Sequence, residues 1–212
     1  MRCVVTAGPT YEPLDHVRRL TNFSTGRLGT EFARFLEARG HEVTLLLGEQ
    51  ATYRQGNAEL FTTTNDLRER LRRLASQPVN AVFHAAAVSD FGFGKVWTRS
   101  TQGDLKELKS GKFSTREGTL LAELVPTPKL ISELRQWFPI ARLVGWKYEV
   151  EGTREHVIRE AEKQLVACLT DACVANGTAY GDGFGLVQGG GELKHLEDKG
   201  ALFEALERFV TK

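Results

Sequence analysis

The feature that most constrains this 212-residue chain is an alternation of short apolar runs with helical stripes, set up from residue 2 onward. "RCVVTA" (2–7) reads as a strand stopped by Gly8-Pro9, and "HEVTLLLG" (41–48) as a second strand. Between them, a helix over about 26–39 carries Leu28, Phe32, Phe35 and Leu36 at three- and four-residue spacing and stops at Gly40. Next come "NDLRERLRRLA", with Leu67, Leu71 and Leu74 on one face, and "AVFHAAAVSD", an apolar run typical of a strand covered on both sides. "TPKLISELRQWF", "REHVIREAEKQLVACL" and residues 199–209 predict further helices, "ARLVGWKYE" and "ACVAN" further buried strands. This order predicts an α/β fold: a Rossmann-like, doubly wound, mostly parallel sheet with helices on both faces. Ligands of such sheets bind outside the C-terminal ends of the strands.

Two segments depart from the rhythm. Residues 91–125 alternate polar and apolar positions without a helical stripe, which predicts an inserted β-hairpin arm, and "GDGFGLVQGGGELKHLE" predicts an antiparallel hairpin turning at Gly189, Gly190 and Gly191 on the far edge of the sheet. With no internal repeat and no low-complexity linker, residues 1–212 read as a single domain. Lys plus Arg (28) nearly balance Asp plus Glu (27), which argues against nucleic acid or a membrane as partner and for a small-molecule ligand. No apolar stretch reaches the length of a membrane span. Cys3, Cys168 and Cys173 form no CxxC pair, so a reducing cytoplasm is expected, with Cys168 and Cys173 as inert core residues. His16, His41, His84, His156 and His195 stand singly and read as surface or helix-end residues; no metal is assigned to them.

The opening strand, helix and strand raise a specific question. A dinucleotide-binding loop puts GxGxxG directly between strand and helix, so that backbone amides and the helix N-terminus meet the pyrophosphate. Here Gly8 stands alone, and Gly26 and Gly29 of "STGRLG" follow only after an insertion of about seventeen residues. That insertion brings Arg18, Asn22, Ser24 and Thr25 beside the same helix terminus, where polar donors would converge on an anion. The plainer alternative is that the glycines serve helix packing and Ser24 caps the helix.

Taken together, "VVTAGPTYEPLDHVRRLTNFSTGRLG" and "HAAAVSDF" resemble the phosphopantothenate-cysteine ligase (phosphopantothenoylcysteine synthetase) family of coenzyme A biosynthesis. The family pattern runs T-A-G-x-T, then N-x-S-[ST]-G-x-x-G, then A-A-A-V-[SA]-D, and all three occur in order. "GKFST", "VPTPKLISEL", "LVGWKYE" and "CVAN" resemble its lysine-bearing arm, following helix, base-contacting strand and closing Asn strand. The resemblance implies that ATP or CTP, with Mg²⁺ and without FMN, activates the carboxylate of 4′-phosphopantothenate as an acyl nucleotide, which the amine of cysteine then attacks. It also implies the site. Gly8, Ser24, Gly26 and Gly29 would hold the phosphates, Trp146 would pack on the base and Asn176 would complete the nucleotide site. Asn22, Ala86, Ala87 and Asp90 would contact phosphopantothenate or its acyl nucleotide. Arg18 would reach the substrate phosphate of the neighbouring subunit in a homodimer, and Lys112, with Asn22, would serve the chemical step.

Each residue has a local alternative: Trp146 as a core indole, Asp90 as a turn cap, Arg18 as surface charge and Lys112 as a solvated hairpin charge. The family's bacterial K-x-K-K arm is reduced here to Lys112, and "GWKYEV" is nearer the eukaryotic-type form than F-A-A-E-T, which points to ATP over CTP. At 212 residues there is no room for a flavin-dependent decarboxylase, so only the ligase step is expected. An NAD(P)-dependent short-chain reductase would want Tyr-x-x-x-Lys, and none of Tyr11, Tyr53, Tyr148 or Tyr180 has a lysine four residues on. A non-catalytic nucleotide-binding relative is the other alternative.

Overall fold

Along the first strand, β1 (Arg2–Ala7), buried side chains change face at every step: Cys3, Val5 and Ala7 enter one core and Val4 the other, because a pleated strand covered on both sides must be apolar on both. The computed structural model describes residues 1–109, 112–114 and 118–211. A short excursion, β2 (Tyr11–Pro13) and β3 (Arg19–Thr21), precedes α1 (Arg27–Ala38), β4 (Glu42–Gly48), β5 (Glu59–Phe61), α2 (Thr64–Leu74) and β6 (Ala81–His84). The arm follows as β7 (Phe91–Arg99), β8 (Leu105–Leu108) and β9 (Thr119–Pro126). The chain then returns through α3 (Leu130–Trp137), β10 (Arg142–Tyr148), α4 (Arg154–Cys168), β11 (Ala172–Asn176), β12 (Phe184–Gln188), β13 (Leu193–Leu196) and α5 (Lys199–Thr211).

Eight strands form one sheet in the order β13-β12-β11-β10-β6-β1-β4-β5, parallel from β11 to β5 and antiparallel at the β12–β13 edge. From β1 the chain moves to β4 and β5 on one side, then crosses back to β6 and continues to β10 and β11 on the other. The strand order therefore reverses between β1 and β6, the place where doubly wound sheets open a binding crevice. Helices cover both faces. Phe32 of α1 meets Phe83 of β6 edge-on at 4.7 Å and Phe203 of α5 at 5.2 Å, while Leu67, Leu71, Leu130 and Leu134 of α2 and α3 fill the opposite core. Val157 and Ala161 of α4 form a third, smaller cluster with Cys173 and Ala175.

Four sequence expectations change in detail. The arm has three strands, order β8-β7-β9, because the nine residues of β7 pair along both edges. Gly111 and Thr115 of its "GKFST" stretch lie outside the described residues. The polar insertion contains its own antiparallel pair, β2 with β3. "AVFHAAAVSD" is a strand only to His84. His84 itself is buried in β6 rather than at the surface or a helix end, since an apolar run covered on both sides buries whatever it carries.

Candidate functional site

At the C-terminal end of β1 the split glycine loop is reassembled. Gly8 and Gly26 have φ of +79° and +75°, a region that side-chain-bearing residues avoid. A Cβ on Gly8 would stand 2.9 Å from the Cβ of Ala51, and one on Gly26 3.0 Å from the same atom and 3.3 Å from the Cα of Gly8. A Cβ on Gly29 would stand 2.7 Å from the Cβ of Ala7, so this turn of α1 lies directly on the end of β1. The insertion is looped out, and three glycines distant in sequence share one contact zone. Gly26 is the N-cap of α1 and provides no side-chain acceptor, and the first turn holds no acidic residue. Ser24 is therefore not the cap; its amide donates to the carbonyl of Asn22 at 2.9 Å instead. Thr25 Oγ1 accepts the Arg27 amide at 3.3 Å, while the N-cap Gly26 offers no side chain to the amides that follow, so the positive dipole end of α1 suits an anion.

Across the crevice, the residues after β6 continue in register beside the end of β1, with Ala87 bridging Pro9. The amide of Ala87 donates to the carbonyl of Gly8 at 2.9 Å, and the amide of Thr10 donates to the carbonyl of Ala87 at 3.1 Å. Asn22 Nδ2 donates to the carbonyls of Ala87 at 3.3 Å and Val88 at 3.2 Å. With its donors used this way, Asn22 keeps Oδ1 as the atom it can offer to a ligand. The Ser89 amide donates to Thr10 Oγ1 at 2.8 Å and the Thr127 amide to the carbonyl of Asp90 at 3.0 Å, so Asp90 is fixed by its backbone with its side chain exposed at the rim. Asn22, distant in the chain, thus joins Ala86, Ala87 and Asp90 in one wall.

The arm reaches this wall through Asp15. Its Oδ1 accepts the amides of Val17 at 2.8 Å and Arg18 at 2.7 Å, and its Oδ2 accepts the Phe113 amide at 3.2 Å and the Arg18 guanidinium at 2.9 Å. Arg18 also donates to the Phe113 carbonyl at 3.2 Å. Burial raises the Asp15 carboxyl, but the three amides and the guanidinium outweigh it and hold the pKa below the usual value. Phe113 is buried, and Lys112 before it is exposed. Lys112 is therefore tethered to the excursion that carries Asn22, and Arg18 is engaged within its own chain. Asp15 was not singled out from the sequence. An Asp bonding amides two and three residues on is a local turn signal, but its bond to Phe113 is not local.

Trp146 and Asn176 lie at the ends of β10 and β11. The register pairs Trp146 with Val174 and Tyr148 with Asn176, so both side chains stand on the α1–α5 face. Trp146 packs half-buried against that core, as its core-indole alternative requires, yet its Nε1 and Asn176 Oδ1 are both buried without a hydrogen-bond partner among the described residues. An orphaned donor and an orphaned acceptor on adjacent strands are unusual in a settled core. Cys3 and Cys173 are pushed up to about 11 and about 12 by burial, which leaves no activated thiol there.

A doubly wound sheet with a reassembled glycine loop at its strand-order reversal defines a Rossmann-like α/β protein. Over residues 1–200 the sequence matches the DNA/pantothenate metabolism flavoprotein C-terminal domain, and the chain belongs to that family. It is 35% identical over 177 residues to the coenzyme A biosynthesis bifunctional protein CoaBC of Thermococcus kodakarensis, covering 82% of this chain and 41% of that protein. It is 33% identical over 186 residues to the CoaBC protein of Bacillus subtilis, covering 86% of this chain and 42% of that one. The chain thus spans less than half the length of these relatives. Its fold matches the crystal structure of the DNA/pantothenate metabolism flavoprotein from Streptococcus pneumoniae with a TM-score of 0.84 at 28% identity, covering 100% of this chain and 98% of that one.

Proposed function

We propose that this chain is a phosphopantothenate-cysteine ligase, acting as a single unit and joining 4′-phosphopantothenate to cysteine through an acyl-nucleotide intermediate. The observation that carries the reading is the meeting of Gly8, Gly26 and Gly29 at the α1 terminus with the Asn22 clasp on Ala87 and Val88, in a chain related to CoaBC proteins.

In the first step a carboxylate oxygen of phosphopantothenate bonds to the α-phosphorus of the nucleotide, and the bond from that phosphorus to the bridging oxygen breaks to release pyrophosphate. In the second, the cysteine amine bonds to the acyl carbon, the acyl–oxygen bond breaks, the nucleoside monophosphate leaves and the amine proton passes to solvent. Neither step needs an activated protein nucleophile; both need fixed phosphates, a fixed carboxylate and donors where charge grows. Gly8, Ser24, Gly26 and Gly29 would seat the phosphates. Trp146 and Asn176 would take the base, their unpartnered Nε1 and Oδ1 being suited to a polar ligand edge. Asn22, Ala86, Ala87 and Asp90 would hold the acyl partner, and Lys112 would stabilise the charge on the departing oxygens. Among the described residues no three His, Cys, Asp or Glu side chains group to hold a metal, so Mg²⁺ would enter on the nucleotide's own phosphates.

On this reading no flavin belongs to these residues, which the visible absorbance of the purified protein checks. The enzyme would be a homodimer, supported by exposed apolar side chains on the excursion and the arm: Val17, Leu20, Phe23, Phe91 and Leu124. Three free, buried cysteines suit a reducing cytoplasm, and no helix among the described residues is long and apolar enough to cross a membrane. Incubation with phosphopantothenate, cysteine, Mg²⁺ and either ATP or CTP tests the proposal: pyrophosphate should depend on phosphopantothenate, and the amide product on cysteine. No pyrophosphate with either nucleotide overturns it. ATP is expected to be preferred, and a tenfold kcat/KM advantage for CTP, about 1.4 kcal/mol, would reverse that choice.

A further inference from the structure

β6 ends sooner than its apolar run, and the cause lies on the face away from α1. The register pairs Thr6 with His84, placing their side chains next to each other, and Thr6 Oγ1 lies 2.9 Å from His84 Nδ1. The Ala85 amide still bonds the Thr6 carbonyl at 3.1 Å, as a ladder would have it. The next amide, that of Ala86, donates at 3.1 Å to Thr6 Oγ1 instead. The chain therefore parts from β10 after His84 while staying in register with β1 as far as Ala87, which bridges Pro9, and the turn that follows carries the carbonyls of Ala87 and Val88 that clasp Asn22.

Thr6 is fully buried and His84 is 6% exposed, so each hydrogen in this network needs an acceptor. A hydroxyl has one hydrogen and two lone pairs. One lone pair receives the Ala86 amide. Were Nδ1 also to donate, the hydroxyl hydrogen would be buried with no acceptor among the described residues. The arrangement that satisfies these three groups runs from the Ala86 N–H to Oγ1 and from the Oγ1 hydrogen to Nδ1; the ring hydrogen then sits on Nε2, which is not among the buried side-chain atoms left without a partner.

We infer that His84 is a positioning residue for the ligase site: its unprotonated Nδ1 fixes the direction of the Thr6 hydroxyl and, through the Ala86 amide, the turn that holds Asn22. The role of Asn22 rests on the functional reading above; the proton arrangement does not. Burial pushes the His84 pKa down to about 4, which keeps the ring neutral, and a charged ring would put a hydrogen on Nδ1 and oppose the bond.

Nitrogen NMR of the intact ¹⁵N-labelled protein should show His84 protonated at Nε2 and bare at Nδ1; a proton on Nδ1 overturns the inference whether or not the protein is active. In the pyrophosphate assay, His84→Leu removes the acceptor while keeping bulk and should lower kcat/KM for phosphopantothenate about tenfold, the scale of one lost hydrogen bond, with the nucleotide KM unchanged. His84→Asn, whose Oδ1 can stand where Nδ1 stood, should recover most of that loss, and Thr6→Val should repeat it. If the Leu and Asn variants are equally impaired, or the KM values of both substrates rise together, His84 only fills space and the inference fails. A wild-type protein that releases no pyrophosphate sinks the ligase reading and leaves the NMR result to decide this one.

Discussion

The crevice between β1 and β6 and the arm of β7, β8 and β9 bring residues to the same wall by opposite means. In the crevice, positions are set by backbone contact: Thr6, Ala7 and Thr10 are buried, and the glycines leave no room for a single added carbon. The arm is mostly exposed. Leu105 and Leu124 are 56% and 51% accessible, whereas Val96 and Phe113 alone among the arm's described hydrophobic residues are buried. Its register comes from strand pairing, and its place beside the crevice from the bonds of Asp15 and Arg18 to Phe113. Stability and site are therefore coupled in the crevice and separable in the arm.

The largest expected effect tests that coupling. Gly29→Val should cost on the order of 3 kcal/mol in denaturant unfolding and abolish nucleotide binding, since its added atoms meet β1, while Leu105→Ser should stay within about 0.5 kcal/mol. If Gly29→Val is tolerated, the crevice is not fixed by contact and the contrast collapses.

Next, His84 should make the crevice acid-sensitive. Its pKa falls from 6.5 to about 4 through burial, so the unfolded chain takes up a proton below 6.5 that the folded one refuses until about 4. Its contribution to stability is thus lost as pH falls through that window, by up to about 3 kcal/mol. Unfolding of wild type and His84→Asn across this range should converge at low pH, and parallel curves would remove His84 from the account.

In the arm, Lys112→Ala should lower kcat about 10²-fold, or about 2.7 kcal/mol, with the melting temperature unchanged, and Lys109→Ala should do much less. Single-turnover pyrophosphate release separates them: loss in Lys109→Ala but not Lys112→Ala would show the wrong residue was assigned, and loss in neither would make the arm non-catalytic.

The smallest effect concerns the partner. Mixing inactive Arg18→Ala and Asn22→Ala proteins should partly restore activity if Arg18 serves a neighbouring subunit. No rescue, or a monomer in light scattering at micromolar concentration, would leave Arg18 to its own chain, where its bonds to Asp15 and Phe113 already hold it.

Much of this was legible from residues 1–212 alone, because periodicity is local. The α1 stripe ending at Gly40, the antiparallel edge turning at Gly189–Gly191 and the alternation of strands and helices that makes the sheet mostly parallel all follow from which side chains must be buried and where glycine lets the chain turn. The Asn22 and Ala-Ala-Val motifs marked where to look, and the glycines on either side of the insertion suggested an anion site.

Tertiary structure decided the rest. Whether Gly26 and Gly29 merely packed a helix or rejoined Gly8 depended on distances no spacing encodes, and the alternative of Ser24 as the helix cap falls because Gly26 is the N-cap. The third strand of the arm, the tie from Asp15 to Phe113 and the burial of His84 against Thr6 each join residues far apart in sequence. The sequence names the groups that can bond; which of them meet is settled by packing the whole sheet at once, since a hydroxyl and an imidazole on neighbouring strands become partners only when the register places them together.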